Sequence, residues 1–341
     1  MLKLKGKSVV FLAGGIGDQL LHFPQIQHLA EITGQKVDLF CQHEKIMTDI
    51  SKQCDWLGSI NDIYHLKRVL KLNNFKTSIL LLRQQHYSNA IVMHPSTTFK
   101  LASLLSGAKY RVGFPKNYSD KFLLNVLLES GSVADRETNG WGHRPWGTCF
   151  DHFLKCISTD VPDRPPILCD DYQTTEALKF FKRYPEPRIL INLFSQDKDR
   201  CWPISQAVDF LTELVSVYGV KLFLSSGNDA KEWNRTFLAN WPKQMPRPIE
   251  ISKFISGINM EIALYCNADY YIGVNSFTSI LSMNCNLPSL VLYNKKEDYI
   301  NHRNNSIGVF PADAAPKKQG LEGIRKSDFM KSYQKLRNMK Y

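Results

Sequence analysis

The sequence predicts an α/β protein made of two successive doubly wound, Rossmann-like units. Three observations predict it. Apolar runs of strand length alternate with longer stretches of helical period, the pattern of parallel sheets with crossover helices. The alternation occurs twice, interrupted by the proline-dense stretch "STDVPDRPPILCDD" at 158–171. The chain has 341 residues, long for one hydrophobic core and sufficient for two domains. These observations set an N-terminal domain at 1–160, a linker at 161–173, a C-terminal domain at 174–324 and a basic helix or tail at 325–341. Open parallel sheets take ligands beyond the carboxyl ends of their strands, so two such domains facing each other across a cleft would present two ligands to one another.

In the first half, strands are expected at "SVVFLA" (8–13), "KVDLFC" (36–41), "NAIVMH" (89–94) and "YRVGF" (110–114). Helices are expected near 19–33, 44–53, 66–85 and 97–107, with "GSIND" (58–62) and "PKNYSD" (115–120) as connections. In the second half, strands are expected at "RILINL" (188–193), "VKLFLS" (220–225), "PIEIS" (248–252), "YYIGV" (270–274) and "PSLVLY" (288–293). The helices between them fall at 174–184, 204–218, 229–240, 259–266 and 278–285.

Composition narrows the function classes. No apolar run approaches the ~20 residues of a membrane span, and the lysines before "SVVFLA" lead into a strand and glycine turn and not into a secretory leader. Eight cysteines without a C-x-x-C pair fit reduced thiols in a cytoplasm. His22, His28, His94, His143 and His152 have no paired ligand spacing, so no metal is expected. Trp141, Trp146, Trp202 and Trp233 read as packing residues. The net charge of +11 is uneven: 19 basic and 13 acidic side chains lie in 1–160, 18 of each in 161–324, and six basic with one acidic in 325–341. A basic front half and tail fit an anionic partner, such as an acidic glycan or a lipid surface. Nucleic acid is disfavoured, because the aromatic and basic strand motif of RNA binders is absent.

Four loops carry the chemistry. "GGIGD" (14–18) follows the first strand but lacks the Lys of a phosphate loop and the third glycine of a dinucleotide fingerprint. Its Asp18 either caps the helix beginning near Gln19 or presents a carboxylate to a ligand. In the second half, "NLFSQDKDRCWP" (192–203) gathers Lys198 and Arg200 where cations can meet a diphosphate, and its Asp197-Lys198-Asp199 is a weak match to a metal–nucleotide D-x-D. "SSGNDAKEWN" (225–234) offers Ser225, Ser226 and Gly227, and "GVNSFTSILS" (273–282) offers Asn275, Ser276, Thr278 and Ser279, each between a strand and a helix start. All are also ordinary capping chemistry. Together they outline a phosphate-binding rim.

The order of these motifs resembles glycosyltransferase family 9, the ADP-heptose:lipopolysaccharide heptosyltransferases. "GGIGDQLLHFPQIQHL" is similar to the family's Gly-Asp turn and apolar helix, with Pro24 six residues after Asp18. "HPSTTFKLASLLSGAKYRVGF", "DRCWPISQAVDFLTELVSVYGVKLFLSSGNDAKE" and "INMEIALYCNADYYIGVNSFTSILSMNCNLPSLVLYN" resemble its later blocks, in order and at suitable spacing. The resemblance implies a GT-B fold, with the acceptor on the N-terminal domain and the nucleotide-sugar on the C-terminal one. It implies inverting, metal-independent transfer of a sugar, ADP-heptose being the leading donor, to a lipopolysaccharide core or other surface glycan. Asp18 occupies the position of the general base and Arg200 that of the family's Lys. Gly15, Gly17, Lys100, Arg111, Lys116 and Lys121 become candidate contacts to an acidic or phosphorylated acceptor. The basic tail suits peripheral contact with an anionic inner membrane, giving a cytoplasmic protein resting on that surface. The last block departs from the family's Asp-(Ser/Thr)-Gly-x-x-His: Asn275, Phe277 and Ile280 stand at the Asp, Gly and His positions. A different donor, or a non-catalytic glycan- or nucleotide-binding relative, is the alternative.

Overall fold

The computed structural model describes residues 3–63, 72–115, 118, 120–128, 153–160, 162, 164–225, 230–296, 304–312 and 320–339. Lys116, Ser226 and Gly227 lie outside these residues. The chain divides into two compact units, 1–166 and 167–341, so the break falls inside the proline-dense stretch.

The first unit holds strands β1 (Ser8–Phe11), β2 (Val37–Cys41), β3 (Leu57–Asp62), β4 (Asn89–Val92), β5 (Tyr110–Gly113) and β6 (Val126–Leu127). They form one parallel sheet in the order β3-β2-β1-β4-β5-β6. Its helices are α1 (Ile16–Leu20), α2 (Phe23–Thr33), α3 (Glu44–Ser51), α4 (Leu72–Gln84), α5 (Thr97–Leu105) and the short α6 (Asp120–Leu123). Val9, Phe11, Phe40, Val92 and Phe99 are central to its core.

The second unit repeats the plan with β7 (Arg188–Asn192), β8 (Lys221–Leu224), β9 (Ile249–Glu250), β10 (Tyr270–Val274), β11 (Ser289–Leu292) and β12 (Ser306–Val309), parallel in the order β12-β11-β10-β7-β8-β9. Helices α7 (Asp171–Phe181), α8 (Ile204–Tyr218), α9 (Lys231–Asn240), α10 (Ile258–Asn267), α11 (Phe277–Asn284) and α12 (Lys326–Arg337) accompany it. Among the described residues, no helix is long and apolar enough to cross a membrane.

The differences from the sequence expectation have local causes. The single helix expected at 19–33 is two, because Pro24 cannot donate to Leu20 and its ring would strike that carbonyl; α2 restarts at Phe23, where Pro is tolerated in the first turn. The connection at 58–62 is part of edge strand β3, whose mixed polarity hid it. It is held by the buried Asp38 carboxylate, which accepts from the Ser59 amide at 2.7 Å and from the Tyr87 hydroxyl at 2.7 Å and pairs with Lys7 at 2.9 Å. Edge strands β6 and β12 were likewise missed. The linker expected at 161–173 ends early, since Asp170 caps α7 by accepting from the Gln173 amide at 2.7 Å. The C-terminal segment is not a free basic tail. Phe329, Tyr333 and Leu336 of α12 are fully buried in the second core beside Trp202 and Phe210, and Lys326 pairs with Asp209 and Glu213.

Candidate functional site

Each sheet reverses its strand order once, between β1 and β4 in the first unit and between β7 and β10 in the second. Beyond the carboxyl ends of such a pair, the flanking loops diverge and leave room for a ligand. Asp18 and its glycine turn lie at the first of these places, and Lys198, Arg200, Ser225 and the 275–279 loop follow the strands at the second.

In the first unit the β1–α1 turn bends through Gly14, whose φ of 114° excludes other residues in practice. The Gly14 amide donates to Gln42 Oε1 at 2.7 Å, and the buried Gln19 side chain donates back to the Gly14 carbonyl at 3.2 Å. Asp18 is not the helix N-cap. Gly15 holds that place, and Asp18, three residues on, accepts from the Gly15 amide through Oδ2 at 2.9 Å while remaining exposed. Its charge also suits the positive helix end. From β4, His94 enters the same end of the sheet. Its Nδ1 accepts from the Ser96 amide at 3.1 Å, so the neutral ring carries its proton on Nε2, and the ring rests on Phe99.

Two proposed acceptor contacts are corrected. Lys100 is fully buried, its ammonium paired with the equally buried Asp120, so it is unavailable to a ligand. Arg111 lies near the entry of β5, at the opposite end of the sheet, and its guanidinium is taken by the carbonyls of Leu123 at 2.9 Å and Ala108 at 3.2 Å. Lys121 is exposed, with its ammonium over the Tyr118 ring at 5.4 Å. Gly15 is exposed and Gly17 half-buried in the α1 turn.

In the second unit, Asn192 ends β7 and its amide nitrogen donates to Ser276 Oγ at 2.9 Å and Thr278 Oγ1 at 2.8 Å. The two hydroxyls lie 2.9 Å apart, and Thr278 also meets the Tyr271 hydroxyl at 2.9 Å. Tyr271 reaches it only because position 273 is glycine. A Cβ there would sit 2.4 Å from the tyrosine oxygen and 2.6 Å from the Asn192 carbonyl, its register partner on β7. Deeper, Ser225 at the end of β8 meets the Tyr265 hydroxyl at 3.0 Å. Glu261, in the first turn of α10, is coupled to Ser225. Burial pushes its carboxyl up to about 7, with Ser225 opposing the shift.

The donor candidates divide accordingly. Ser225 and Ser279 are fully buried and spent inside the protein; Ser279 Oγ accepts the Ser276 amide at 3.1 Å and donates to the Ser276 carbonyl at 2.8 Å, capping α11. Thr278 and Asn275 are buried, whereas Ser276 is half-buried. Lys198 is exposed in a short 3-10 turn capped by Asp197. Arg200 pairs with Asp197 at 3.1 Å and reaches the Asn275 carbonyl at 3.4 Å, joining the β7 and β10 loops. Asn294, beyond β11, donates to the Asp199 carbonyl at 2.7 Å and ties in a third loop. Among the described residues, no group of three or more His, Cys, Asp and Glu is arranged to hold a metal ion.

Sequence reasoning missed His94, Asn192, Glu261, Tyr265, Tyr271 and Asn294. For His94 and Asn192 a signal existed: each is a polar residue closing or following an otherwise apolar parallel strand. The others become neighbours only through the fold.

The fold is that of the glycosyltransferases with two Rossmann-like units in tandem, and in particular of glycosyltransferase family 9. The structure matches a family 9 glycosyl transferase from Veillonella parvula with a TM-score of 0.74 over 98% of both chains, at 14% identity. It matches the ADP-heptose LPS heptosyltransferase II of E. coli with a TM-score of 0.69 over 97% of this chain and 98% of that one, at 15% identity. The E. coli heptosyltransferase WaaC, solved with ADP-2-deoxy-2-fluoro heptose, matches at 0.65 over 97% and 99%, at 11% identity. No family model matches the sequence, and no curated protein matches it.

Proposed function

We propose that this protein is an inverting, metal-independent glycosyltransferase. It moves a sugar from a nucleotide-sugar, with ADP-heptose the leading donor, to a hydroxyl of a lipopolysaccharide core or other surface glycan. One observation carries the reading: an exposed carboxylate, Asp18, is fixed by the Gly15 amide at the switch point of the first sheet. An alcohol becomes an effective nucleophile when a positioned base takes its proton during attack. In this reading Asp18 accepts that proton, the acceptor oxygen bonds to the anomeric carbon, and the bond to the diphosphate oxygen breaks with inversion. The departing charge is met by Lys198, Arg200 and the Ser276 hydroxyl, with Asn275 and Thr278 shaping that rim. Gly15, Gly17 and Lys121 remain candidate contacts to the acceptor. The N-terminal domain takes the acceptor and the C-terminal one the donor, at the inner face of the cytoplasmic membrane.

The E. coli WaaC structure holds an ADP-heptose analogue, which supports the donor assignment by likeness of fold. The test is transfer from a panel of ADP-, UDP-, GDP- and CMP-sugars to core oligosaccharide, with and without a chelator. ADP-heptose should be the productive donor, insensitive to the chelator, and Asp18→Ala should abolish turnover while remaining folded. A second reading, a different donor or a binding protein without turnover, is favoured by Phe277 at the head of α11 and by Ile280, which is buried. Nucleotide-sugar binding without turnover by any donor would select the non-catalytic form.

A further inference from the structure

At the carboxyl end of β10, three hydroxyls and one amide are bonded in a way that fixes the direction of every proton. Thr278 Oγ1 meets three groups: the Asn192 amide nitrogen at 2.8 Å, the Tyr271 hydroxyl at 2.9 Å and Ser276 Oγ at 2.9 Å. The Asn192 nitrogen can only donate, and it also donates to Ser276 Oγ at 2.9 Å. Tyr271 is fully buried, and among the described residues its phenol has one hydrogen bond, to Thr278 Oγ1. A buried phenol that accepted from Thr278 would leave its own proton unpaired, a destabilising arrangement. Tyr271 therefore donates. With the two lone pairs of Thr278 Oγ1 taken by Asn192 and Tyr271, the Thr278 proton goes to Ser276 Oγ. Ser276, half-buried at the head of α11, thus accepts from Asn192 and Thr278 inside the protein. Its own proton is left for what lies outside.

We propose that Tyr271 is a positioning residue of the donor pocket: by donating to Thr278 it holds the Ser276 proton outward, toward an anionic diphosphate. This rests on the nucleotide-sugar reading above, in which Ser276 meets the departing charge. Without the phenol proton, Thr278 Oγ1 has a lone pair open, and Ser276 turns its own proton inward to fill it. Its lone pairs then face the phosphate oxygens and repel them. With the phenol in place, the Ser276 dipole is oriented before the ligand arrives and needs no reorganisation. Gly273 serves the same end, since a Cβ there would stand in the space through which the phenol reaches Thr278. Tyr271 touches no ligand itself; it acts through Thr278 and Ser276.

The experiment is calorimetric titration of the full chain with ADP, UDP, GDP and CDP. It compares wild type with Tyr271→Phe, Ser276→Ala and the double variant, the melting temperature of each being measured alongside. Phenylalanine keeps the ring, which packs on Tyr265 with centroids 5.9 Å apart, and removes only the hydroxyl. Tyr271→Phe should weaken binding of the preferred diphosphate about three- to tenfold, the range of one hydrogen bond's net contribution. Ser276→Ala should weaken it at least as much. In the Ser276→Ala background, Tyr271→Phe should change affinity by less than about twofold, because the proton it directs is gone. A tyrosine that only packed the core would cost the same in both backgrounds. Such additivity overturns the proposal while the donor reading stands, as does wild-type affinity in Tyr271→Phe. Wild-type affinity in Ser276→Ala would remove Ser276 from the ligand and overturn the proposal equally. If wild type binds none of the four probes, the donor reading falls and the proposal with it.

Discussion

The two sheets share one topology and differ in what they place at the switch point. The first offers an exposed carboxylate on a short glycine turn, which accepts from the Gly15 amide, with a histidine on the neighbouring strand's loop. The second offers amide and hydroxyl groups so interlinked that most are buried, with the cations Lys198 and Arg200 on the rim. One arrangement suits moving a proton: the group must be accessible, and its capping bond costs little to share. The other suits receiving an anion, where fixed dipoles oriented before the ligand arrives avoid reorganisation. Identical scaffolds thus acquire opposite chemistry from the residues that follow the strands.

The largest expected effect breaks the first end alone. Asp18→Asn should lower transfer by about 10²–10⁴-fold, the usual contribution of a general base. Binding of the donor and the melting temperature should change little, because Asp18 is exposed and Asn retains an oxygen for the Gly15 amide. A parallel loss of donor affinity in calorimetry would instead tie Asp18 to the other end's task. Next comes the buried pair that sequence reasoning assigned to the acceptor. Lys100→Met leaves Asp120 buried without its cation and should destabilise the first unit by about 3–5 kcal/mol. The double variant Lys100→Met with Asp120→Leu should recover much of that loss in chemical denaturation. Recovery of stability without change in acceptor KM would complete the separation of Lys100 from the site.

The second end is broken from beneath by Gly273→Ala. Its methyl would enter space held by the Tyr271 hydroxyl and the Asn192 carbonyl. Overpacking of this kind costs about 1–3 kcal/mol. It should weaken nucleoside diphosphate binding along with the melting temperature, while Ala at an exposed turn elsewhere should not.

The plan of the fold was legible because buried parallel strands write themselves as short apolar runs, and such runs in two series leave few alternatives. What escaped was set by contacts across sequence distance. β3 reads as a polar connection until Asp38, on the neighbouring strand, is seen to hold its backbone. Lys100 reads as a surface cation, since nothing in "TTFKLASLL" announces that Asp120 will cover it. The C-terminal basic residues conceal an apolar stripe of Phe329, Tyr333 and Leu336, whose spacing is helical and could have been read. Of the site, the glycine turn with Asp18 and the loops at 198–200 and 275–279 were visible as residue types between strand and helix. Glu261 was not, because only the fold brings α10 alongside the end of β8 and so sets Glu261 near Ser225.

The smallest effects sharpen the comparison at the rim, where the two cations differ in attachment. Lys198 is exposed on the 3-10 turn, while the Arg200 guanidinium bridges Asp197 and the Asn275 carbonyl. If both act only as charges, Lys198→Ala and Arg200→Ala should weaken diphosphate binding equally, and added salt should erase both effects, since surface charges are screened within about 8–10 Å at ordinary ionic strength. The geometry predicts a different result. Lys198→Ala should cost less than about tenfold, the effect shrinking with salt, as befits an exposed charge. Arg200→Ala should cost more and retain part of its effect at high salt, because it also frees the β10 loop that carries Ser276. Arg200→Lys discriminates further. It keeps the charge and loses the planar fork that spans two partners, so it should resemble the alanine variant at high salt and the wild type at low salt. Equal salt sensitivity of all three variants would reduce Arg200 to a simple counter-ion and leave Asn192 as the direct link between the β7 and β10 loops.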